Sequence, residues 1–465
     1  MKARQLELLG VPRGDCMKLA LQAVGNASRS GSATREIRDS IRAVVAAPGN
    51  FRTDPIFGPL ACAIVNEQEA SRSPKRAEHS APYQKWGGNL DPEAIKQMEN
   101  ACALPVAVRG ALMPDAHVGY GLPIGGVLAI RNAVVPYAVG VDIACRMKVT
   151  VLDLPPAVLT EKQDWLCQAL TRGTLFGVGA EFRHRKQHPV MDRDWDVSPV
   201  TRMHKDKAWA QLGTSGSGNH FAEFGELTLR NPLGDLSPGT YLALLSHSGS
   251  RGTGAEVCRH YSKIARSRHP DLPRELSYLA WLDLDKHDGI EYWAAMELMG
   301  AYAAANHELI HREIARNLDA PVLLDIENHH NFAWKEMHDG QELIVHRKGA
   351  TPAQNGVLGI IPGSMGTPGY VARGKGNEAS LCSASHGAGR KMSRSAAKKE
   401  LRWDQLKSML SARGITLLSA GLDESPLAYK DIDEVMAAQH DLVEIVARFD
   451  PKIVRMAPGN ERAED

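Results

Sequence analysis

Five short segments, far apart in the chain, set a metal-binding or nucleophilic side chain beside glycine, asparagine or arginine: Asp142-Ile-Ala-Cys145, Asn219-His220, His247-Ser-Gly-Ser-Arg251, His329-His330-Asn331 and His386-Gly-Ala-Gly-Arg390. A chain that uses them together must fold so that these turns converge. Metal ligation accounts for the carboxylate, the thiol and the imidazoles. The flanking glycines and arginines add backbone N–H groups and cations of the kind that hold a phosphate. The pattern predicts a catalytic centre working on phosphorus.

Local chemistry supports that expectation segment by segment. Asp142 and Cys145 follow Val139-Gly140-Val141 at the end of an expected strand, where both can face one ion and a thiolate can bridge two; a buried core cysteine is the other reading of Cys145. His220 lies in Gly216-Ser217-Gly218-Asn219-His220-Phe221-Ala222-Glu223, whose glycines free N–H groups and whose Glu223 can accept from a purine ring N–H. His247 follows the apolar run Tyr241 to Leu245 and projects from a strand end; together these histidines fit a dinuclear site. Asp115 and His117 are two apart, the type of pair that orients a reactive histidine. The loop Pro362-Gly363-Ser364-Met365-Gly366-Thr367 offers N–H groups and a hydroxyl, or is a plain turn. His346-Arg347-Lys348-Gly349 and the segment from His386 to Arg394 supply cations for phosphate oxygens. Arg390 follows His386 by four, so both reach one phosphorus if a helix begins there, whereas a helix start with a solvated basic face is the other reading.

The 465 residues suffice for two or three average domains, or one large enzyme fold with an extension. Lys and Arg number 55 against 54 for Asp and Glu, so contact with nucleic acid requires a local basic surface; the segments 183–186 and 390–402 are candidates. Seven cysteines without CxxC spacing do not form a disulfide framework, and the first residues lack an apolar signal core. No stretch is long enough to span a bilayer. A cytoplasmic protein with no membrane partner is expected.

A polar, proline-bearing stretch from about Glu67 to Lys85 reads as a linker, dividing an N-terminal extension (1–82) from a main domain (83–465). Helices are expected over 15–24, 34–45, 291–316 and 430–449, and from Asp91-Pro92, where Asp caps and Pro takes the first helical position. Strands are expected over 133–135, 147–151 and 241–245. Strands and helices do not alternate cleanly, so the fold class is α+β with large sheets flanked by helices and a central cleft.

Taken in order, Met-Pro-Asp115-Ala-His117, Val-Gly-Val-Asp142-Ile-Ala-Cys145, Gly-Ser-Gly-Asn219-His220-Phe221, His247-Ser-Gly-Ser-Arg251-Gly, His330-Asn331, Arg-Lys-Gly-Ala-Thr351, Pro-Gly-Ser364-Met-Gly-Thr, Ser-His386-Gly-Ala-Gly-Arg390 and Ala-Tyr429-Lys-Asp-Ile-Asp resemble the RtcB family of RNA-splicing ligases, from about Tyr83 to Ala457. The resemblance implies the family's own α+β fold with a metal and nucleotide cleft. It implies joining of RNA ending in a 2′,3′-cyclic phosphate or 3′-phosphate to RNA beginning with a 5′-hydroxyl, with GTP and two manganese ions, in RNA repair or tRNA splicing, and a helper protein for turnover. By the same resemblance His386 attacks the α-phosphorus of GTP and becomes guanylylated, and Asp115 sets its tautomer. Cys145 bridges two metals, one completed by Asp142 and His220 and the other by His247 and His330. The nucleotide is held by Asn219, His220, Phe221, Ala222, Glu223, His330, Asn331, Pro362, Gly363, Ser364, Met365, His386, Gly387, Ala388, Gly389 and Tyr429, with Arg251 and Arg390 left for phosphate oxygens.

Three departures accompany the likeness. Thr367-Pro368-Gly369-Tyr370 replaces a stretch that usually carries a further hydroxyl for the nucleotide. Where the family tends to end on lysine-glycine, the chain reads Ile453-Val454-Arg455-Met456-Ala457-Pro458, with Arg455 as a substitute cation. Residues 1–82 have no counterpart in compact members. Sulfur and imidazole ligands favour zinc or cobalt on affinity, against the manganese that the family implies. A cyclic-phosphate phosphoesterase needs only the metal ligands and no guanylylation; a non-catalytic RNA-binding subunit needs neither.

Overall fold

In the computed structural model, which describes residues 1–70 and 79–459, two β-sheets meet at the cleft that the motifs define. Across the larger sheet the strands run Leu358–Ile361, Gly369–Gly374, Val443–Met456, Phe221–Leu229, Gly239–Ser248, Arg146–Leu152 and Val322–His329, with Thr416–Ser419 alongside Val443–Met456. Register is what matters here. Phe221 and Met147 both pair with His247, and Arg146 pairs with both Ser248 and His329. Two strand starts and two strand ends therefore lie side by side, so that His220, His247, Cys145 and His330 emerge at one end of four neighbouring strands.

The smaller sheet runs Tyr83–Lys85, Ala107–His117, Ile124–Ile130, Gln341–Lys348, Phe332–His338, and brings Asp115 to the other side of the cleft. Its core is partly ionic. Arg347 is fully buried, donating to both carboxylate oxygens of Glu336 at 2.7 and 2.9 Å, to Ser383 Oγ at 2.7 Å and to Leu381 O at 2.9 Å, and stacking on Trp334. Buried His346 donates through Nδ1 to Leu128 O and accepts at Nε2 from Val135 N–H. These two residues, expected to hold phosphate, instead join strands; a fully desolvated guanidinium is tolerable because every neighbour is an acceptor.

Helix His287–Asn317 packs on the larger sheet at Arg146–Leu152 and Gly239–Ser248 and against helix Arg251–Arg268, burying its own Met296, Met299 and Tyr302 in one core with Tyr261. Asp91 caps helix Pro92–Cys102, accepting from Glu93 N–H as its sequence predicts. The mixed architecture matches the α+β expectation. The helix expected over 430–449 is a correction: only Ile432–Ala438 is helical, and Val443–Met456 is a strand. Its partners on both sides, Gly369–Gly374 and Phe221–Leu229, satisfy its backbone, and that tertiary pairing outweighs a helical reading of the apolar spacing.

The N-terminal helices Ala3–Glu7, Asp15–Arg29, Thr34–Ala46 and Gly58–Ala70 enclose an apolar core of their own, including Leu6, Ile37, Ile41 and Leu60. Arg268 ties them to the main body by bridging Glu67 and Asp288. Helix occupies the start of the expected linker, and residues 71–78 of it lie outside the described residues. Among the described residues, no helix is long and apolar enough to cross a membrane.

Because removing one partner strands a charge in the interior, Arg347→Met is expected to lower unfolding stability by about 3–5 kcal/mol. Urea unfolding followed by circular dichroism checks this; an unchanged midpoint with a raised KM for RNA would restore a phosphate-binding role.

Candidate active site

The strand ends place two overlapping sets of donors. Cys145, His247 and His330 form one, Asp142, Cys145 and His220 the other, and within each set the ligand atoms lie within 4.8 Å of one another. Cys145 Sγ is 3.0 Å from His247 Nε2 and 3.4 Å from His220 Nε2; His247 Nε2 and His330 Nε2 are 3.3 Å apart; Asp142 Oδ2 is 3.0 Å from His220 Nε2. His247 gives its Nδ1–H to Asn219 O, so the lone pair on Nε2 faces the sulfur. Arg251 Nη2 lies 3.0 Å from His220 Nδ1, and its guanidinium is buried against the metal-side histidine rather than extended toward a substrate.

Charge is poised for a cation. Burial opposes ionisation of Asp142, yet contact with His220 and the nearby Arg251 outweigh it and hold this carboxyl well below the usual range. Burial, helped by the neighbouring His220, pushes His247 down to about 3, and burial also drives His330 well down, so both imidazoles are neutral ligands near pH 7. Asp142 Oδ2 is buried with His220 Nε2 at 3.0 Å as its close polar neighbour, and His330 Nδ1 is buried without a hydrogen-bond partner. A buried carboxylate, a thiol and three imidazoles, one with an unpartnered ring nitrogen, are a donor set that fits divalent metal.

Backbone strain marks the same place. Ala144, Arg251 and Asn331 all have left-handed φ, at 55°, 56° and 58°. Cross-bonds between Ala144 N and Asn331 O, and between His330 N and Cys145 O, fix these turns. Gly249 is required by close approach: a Cβ there would lie 2.2 Å from Asp142 Oδ2.

On the opposite wall, His386 Nδ1 donates to Asp115 Oδ2 at 2.7 Å, and its own backbone N–H reaches the same oxygen at 3.2 Å. Its Nε2 is thereby left with the lone pair, and its ring packs 4.9 Å from that of His330. Sequence spacing paired Asp115 with His117; in the fold His117 turns to the backbone O of Asp115, and burial pushes it down to about 4. Gly389 permits the approach, because a Cβ would lie 2.0 Å from Asp115 O.

Beside this pair is a pocket lined by Asn219, Phe221, Glu223, Pro362, Gly363, Ser364, Met365 and Tyr429, together with Leu245, Thr367, Gly369, Glu424, Val454 and Met456. Ala222 is turned to the opposite face of its strand and packs with Phe224 and Leu244, as alternation requires. Arg455 likewise alternates away from pocket-lining Val454 and Met456. It donates to Leu170 O, Thr171 O and Thr174 O, and so does not replace the missing lysine at this pocket. Thr367 keeps a hydroxyl in the wall, accepting from Ser364 N–H at 2.8 Å. Asn331 braces the turns, donating to Asp142 O and accepting from Gly349 N–H. His220 and His330 belong to the metal-side sets; Gly387 and Ala388 lead from His386 into packed chain, Ala388 in the core with Met113 and Ala384.

Arg390 is not in a helix and is turned from His386. Its donors go to Met392 O, Glu424, Tyr429 Oη and Asp423 O, and it stacks on the Tyr429 ring. The pocket's buried carboxylate Glu424, held by Arg390, Arg394 and Tyr429, had no signal in sequence: it sits in Leu422-Asp423-Glu424 without a motif. Of the candidate RNA-contacting segments, Arg185 pairs with Asp206 and Lys186 with Glu313.

The chain is similar to known proteins over most of its length. The family model described as tRNA-splicing ligase RtcB matches residues 97–197 and 190–457. The RNA-splicing ligase RtcB of Escherichia coli (strain K12) is 34% identical over 407 residues, covering 79% of this chain and 95% of that protein. The tRNA-splicing ligase RtcB of Nanoarchaeum equitans (strain Kin4-M) is 32% identical over 464 residues, covering 82% and 96%, and the RNA-splicing ligase RtcB of Mycobacterium tuberculosis (strain ATCC 25618 / H37Rv) 33% over 433, covering 76% and 98%. On these matches the chain is an enzyme of the ligase class. It belongs to the RtcB family.

Glu223 gives a pH test. Burial raises its carboxyl well above the usual 4.5, so the folded protein holds a proton that the unfolded chain has released, and stability falls as pH rises past that value. Glu223→Gln removes the penalty. Its thermal midpoint without nucleotide is expected to exceed wild type at about pH 8 and to match it at about pH 4; equal midpoints at both would contradict the buried, protonated acid.

Proposed function

We propose that this RNA ligase joins RNA ends bearing a 3′-phosphate, or a 2′,3′-cyclic phosphate first opened by water at the 2′-oxygen, to 5′-hydroxyl ends, using GTP. The observation that carries this reading is His386: its Nδ1–H is committed to Asp115, and its other nitrogen bears a lone pair beside the donor sets. Nε2 attacks the α-phosphorus of GTP, forming a P–N bond as pyrophosphate leaves. Asp115 stabilises the imidazolium that results, through the proton that it already shares. An oxygen of the RNA 3′-phosphate then attacks the adduct, the P–N bond breaks and His386 recovers its lone pair. Finally the 5′-hydroxyl attacks the 3′-phosphorus, its proton passing to water, and the bond to GMP breaks so that GMP departs.

Asp142, Cys145 and His220 would hold one manganese ion and Cys145, His247 and His330 a second, supplying positive charge for phosphoryl oxygens. Glu223, Asn219, Ser364 and Tyr429 offer hydrogen-bonding groups to the nucleotide from the pocket wall, and Phe221 and Met365 its apolar contacts. Arg390 serves by stacking on Tyr429, and Arg251 by holding His220. We assign 83–465 as the catalytic domain and 1–82 as an extension. None of the seven cysteines is in a disulfide, which supports a reducing, cytoplasmic setting, and a helper protein for turnover fits the same reading.

Incubation with α-labelled GTP and manganese, followed by denaturing electrophoresis, is expected to leave label on wild type and none on His386→Ala, with Asp115→Asn reduced at least about a hundredfold, the cost of a wrong tautomer. Opening of a cyclic phosphate with no label retained would instead favour the phosphoesterase.

A further inference from the structure

Among the described residues the most exposed aromatic side chains are Tyr120 (65%), Trp403 (41%) and Tyr278 (37%), and two of these three touch. Tyr120 and Tyr278, remote in sequence, lie with ring centroids 5.8 Å apart at 53°. Tyr137 stands edge-on to Tyr278 at 4.9 Å, and the guanidinium of Arg266 lies 5.7 Å from the Tyr278 ring. Arg266 is exposed and spends its Nε on Ser262 O.

The loop that carries Tyr120 is pinned. Gln97 Nε2 donates to Gly119 O and Gly119 N–H to Gln97 Oε1, while Lys348 Nζ donates to Tyr120 O at 2.6 Å. Gly121, at φ +72°, lets the loop pass so close to Tyr278 that a Cβ would lie 3.0 Å from its carbonyl. The tyrosines are therefore presented by a fixed backbone. The loop is anchored on His386's side of the cleft: it joins Ala107–His117, which carries Asp115, to Ile124–Ile130, and Ile124 and His386 both border Gly349, at 2.2 and 3.2 Å from where its Cβ would be.

We propose that Tyr120 and Tyr278, with Arg266 beside them, form a stacking step for a nucleobase of single-stranded RNA entering the cleft. A held, water-exposed aromatic face loses nothing when a base covers it, and base stacking on such faces tolerates any sequence. The adjacent guanidinium meets the phosphate that accompanies each base, which an apolar protein partner would not need. This inference rests on the reading of the chain as a GTP-dependent RNA ligase and adds a subsite to it.

The test compares wild type, Tyr120→Ala and Tyr120→Phe in two assays: GMP transfer to the protein without RNA, and ligation of short single-stranded oligonucleotides, one with a 3′-phosphate and one with a 5′-hydroxyl, each titrated against saturating partner. Tyr120→Ala is expected to guanylylate like wild type while its KM for at least one oligonucleotide rises about tenfold, and Tyr120→Phe, which keeps the face, to behave like wild type. An unchanged KM in Tyr120→Ala, loss of guanylylation in step with ligation, or a Phe variant as weak as the Ala variant would overturn the step. Should wild type take up no GMP, the function reading falls, and anisotropy titration of the same oligonucleotides still decides the subsite: weaker binding by Tyr120→Ala supports it and equal binding overturns it.

Discussion

Everything in the cleft depends on one thiol being flanked by imidazoles from strands that are neighbours in space and strangers in sequence. Cys145 lies 3.0 Å from His247 and 3.4 Å from His220 because the ladders pairing Phe221 and Met147 with His247, and Arg146 with His329, bring their strand ends level. A shift of one residue in any of these ladders would turn the ligand to the other face of the sheet. The sheet's apolar core on both faces, Phe224 and Leu244 on one and Met147 and Leu245 on the other, opposes such a shift. The chemistry thus rests on ordinary sheet packing.

Strain and close approach are concentrated where that packing meets the site. Three non-glycine residues with left-handed φ surround the donors, each costing about 1–3 kcal/mol. Gly249 and Gly389 admit Asp142 and Asp115 to positions that any side chain would block. These local costs are offset by the surrounding ladders and by buried pairs such as Arg347 with Glu336. Rigid donors at the metal side and a histidine locked by Asp115 at the other leave little reorganisation for phosphoryl transfer itself.

How much of this was legible in sequence follows from the range of each interaction. Segments that place a possible donor beside glycine read directly, because donor and turn are contiguous, and the family resemblance then singles out Asp142, Cys145, His220, His247 and His330; the strand expected before Asp142 is instead the short helix Pro136–Val139, and the strand begins after Cys145, at Arg146. Pairings across the fold could not be read in that way. Nothing local shows that Asp115 faces His386 rather than His117, or that Glu424 enters the pocket. Alternation along a strand divides what a contiguous motif lumps together, sending Ala222 and Arg455 away from the pocket that Phe221, Glu223, Val454 and Met456 line. Arg347 and His346 look like phosphate ligands because charge is visible in sequence and burial is not. The strand Val443–Met456 was misread as helix because its two ladders come from partners far away in the chain.

The proposal on which the rest turns is that the two donor sets sharing Cys145 would hold two cations opposite the Nε2 of His386. Anomalous diffraction at the manganese edge, from crystals grown with manganese and GTP, tests it directly. The account predicts two peaks sharing the Cys145 sulfur, one completed by Asp142 and His220 and the other by His247 and His330, with phosphorus bonded to His386 Nε2. A single peak away from Cys145, or nucleotide bound with His386 turned from its α-phosphate, would contradict it.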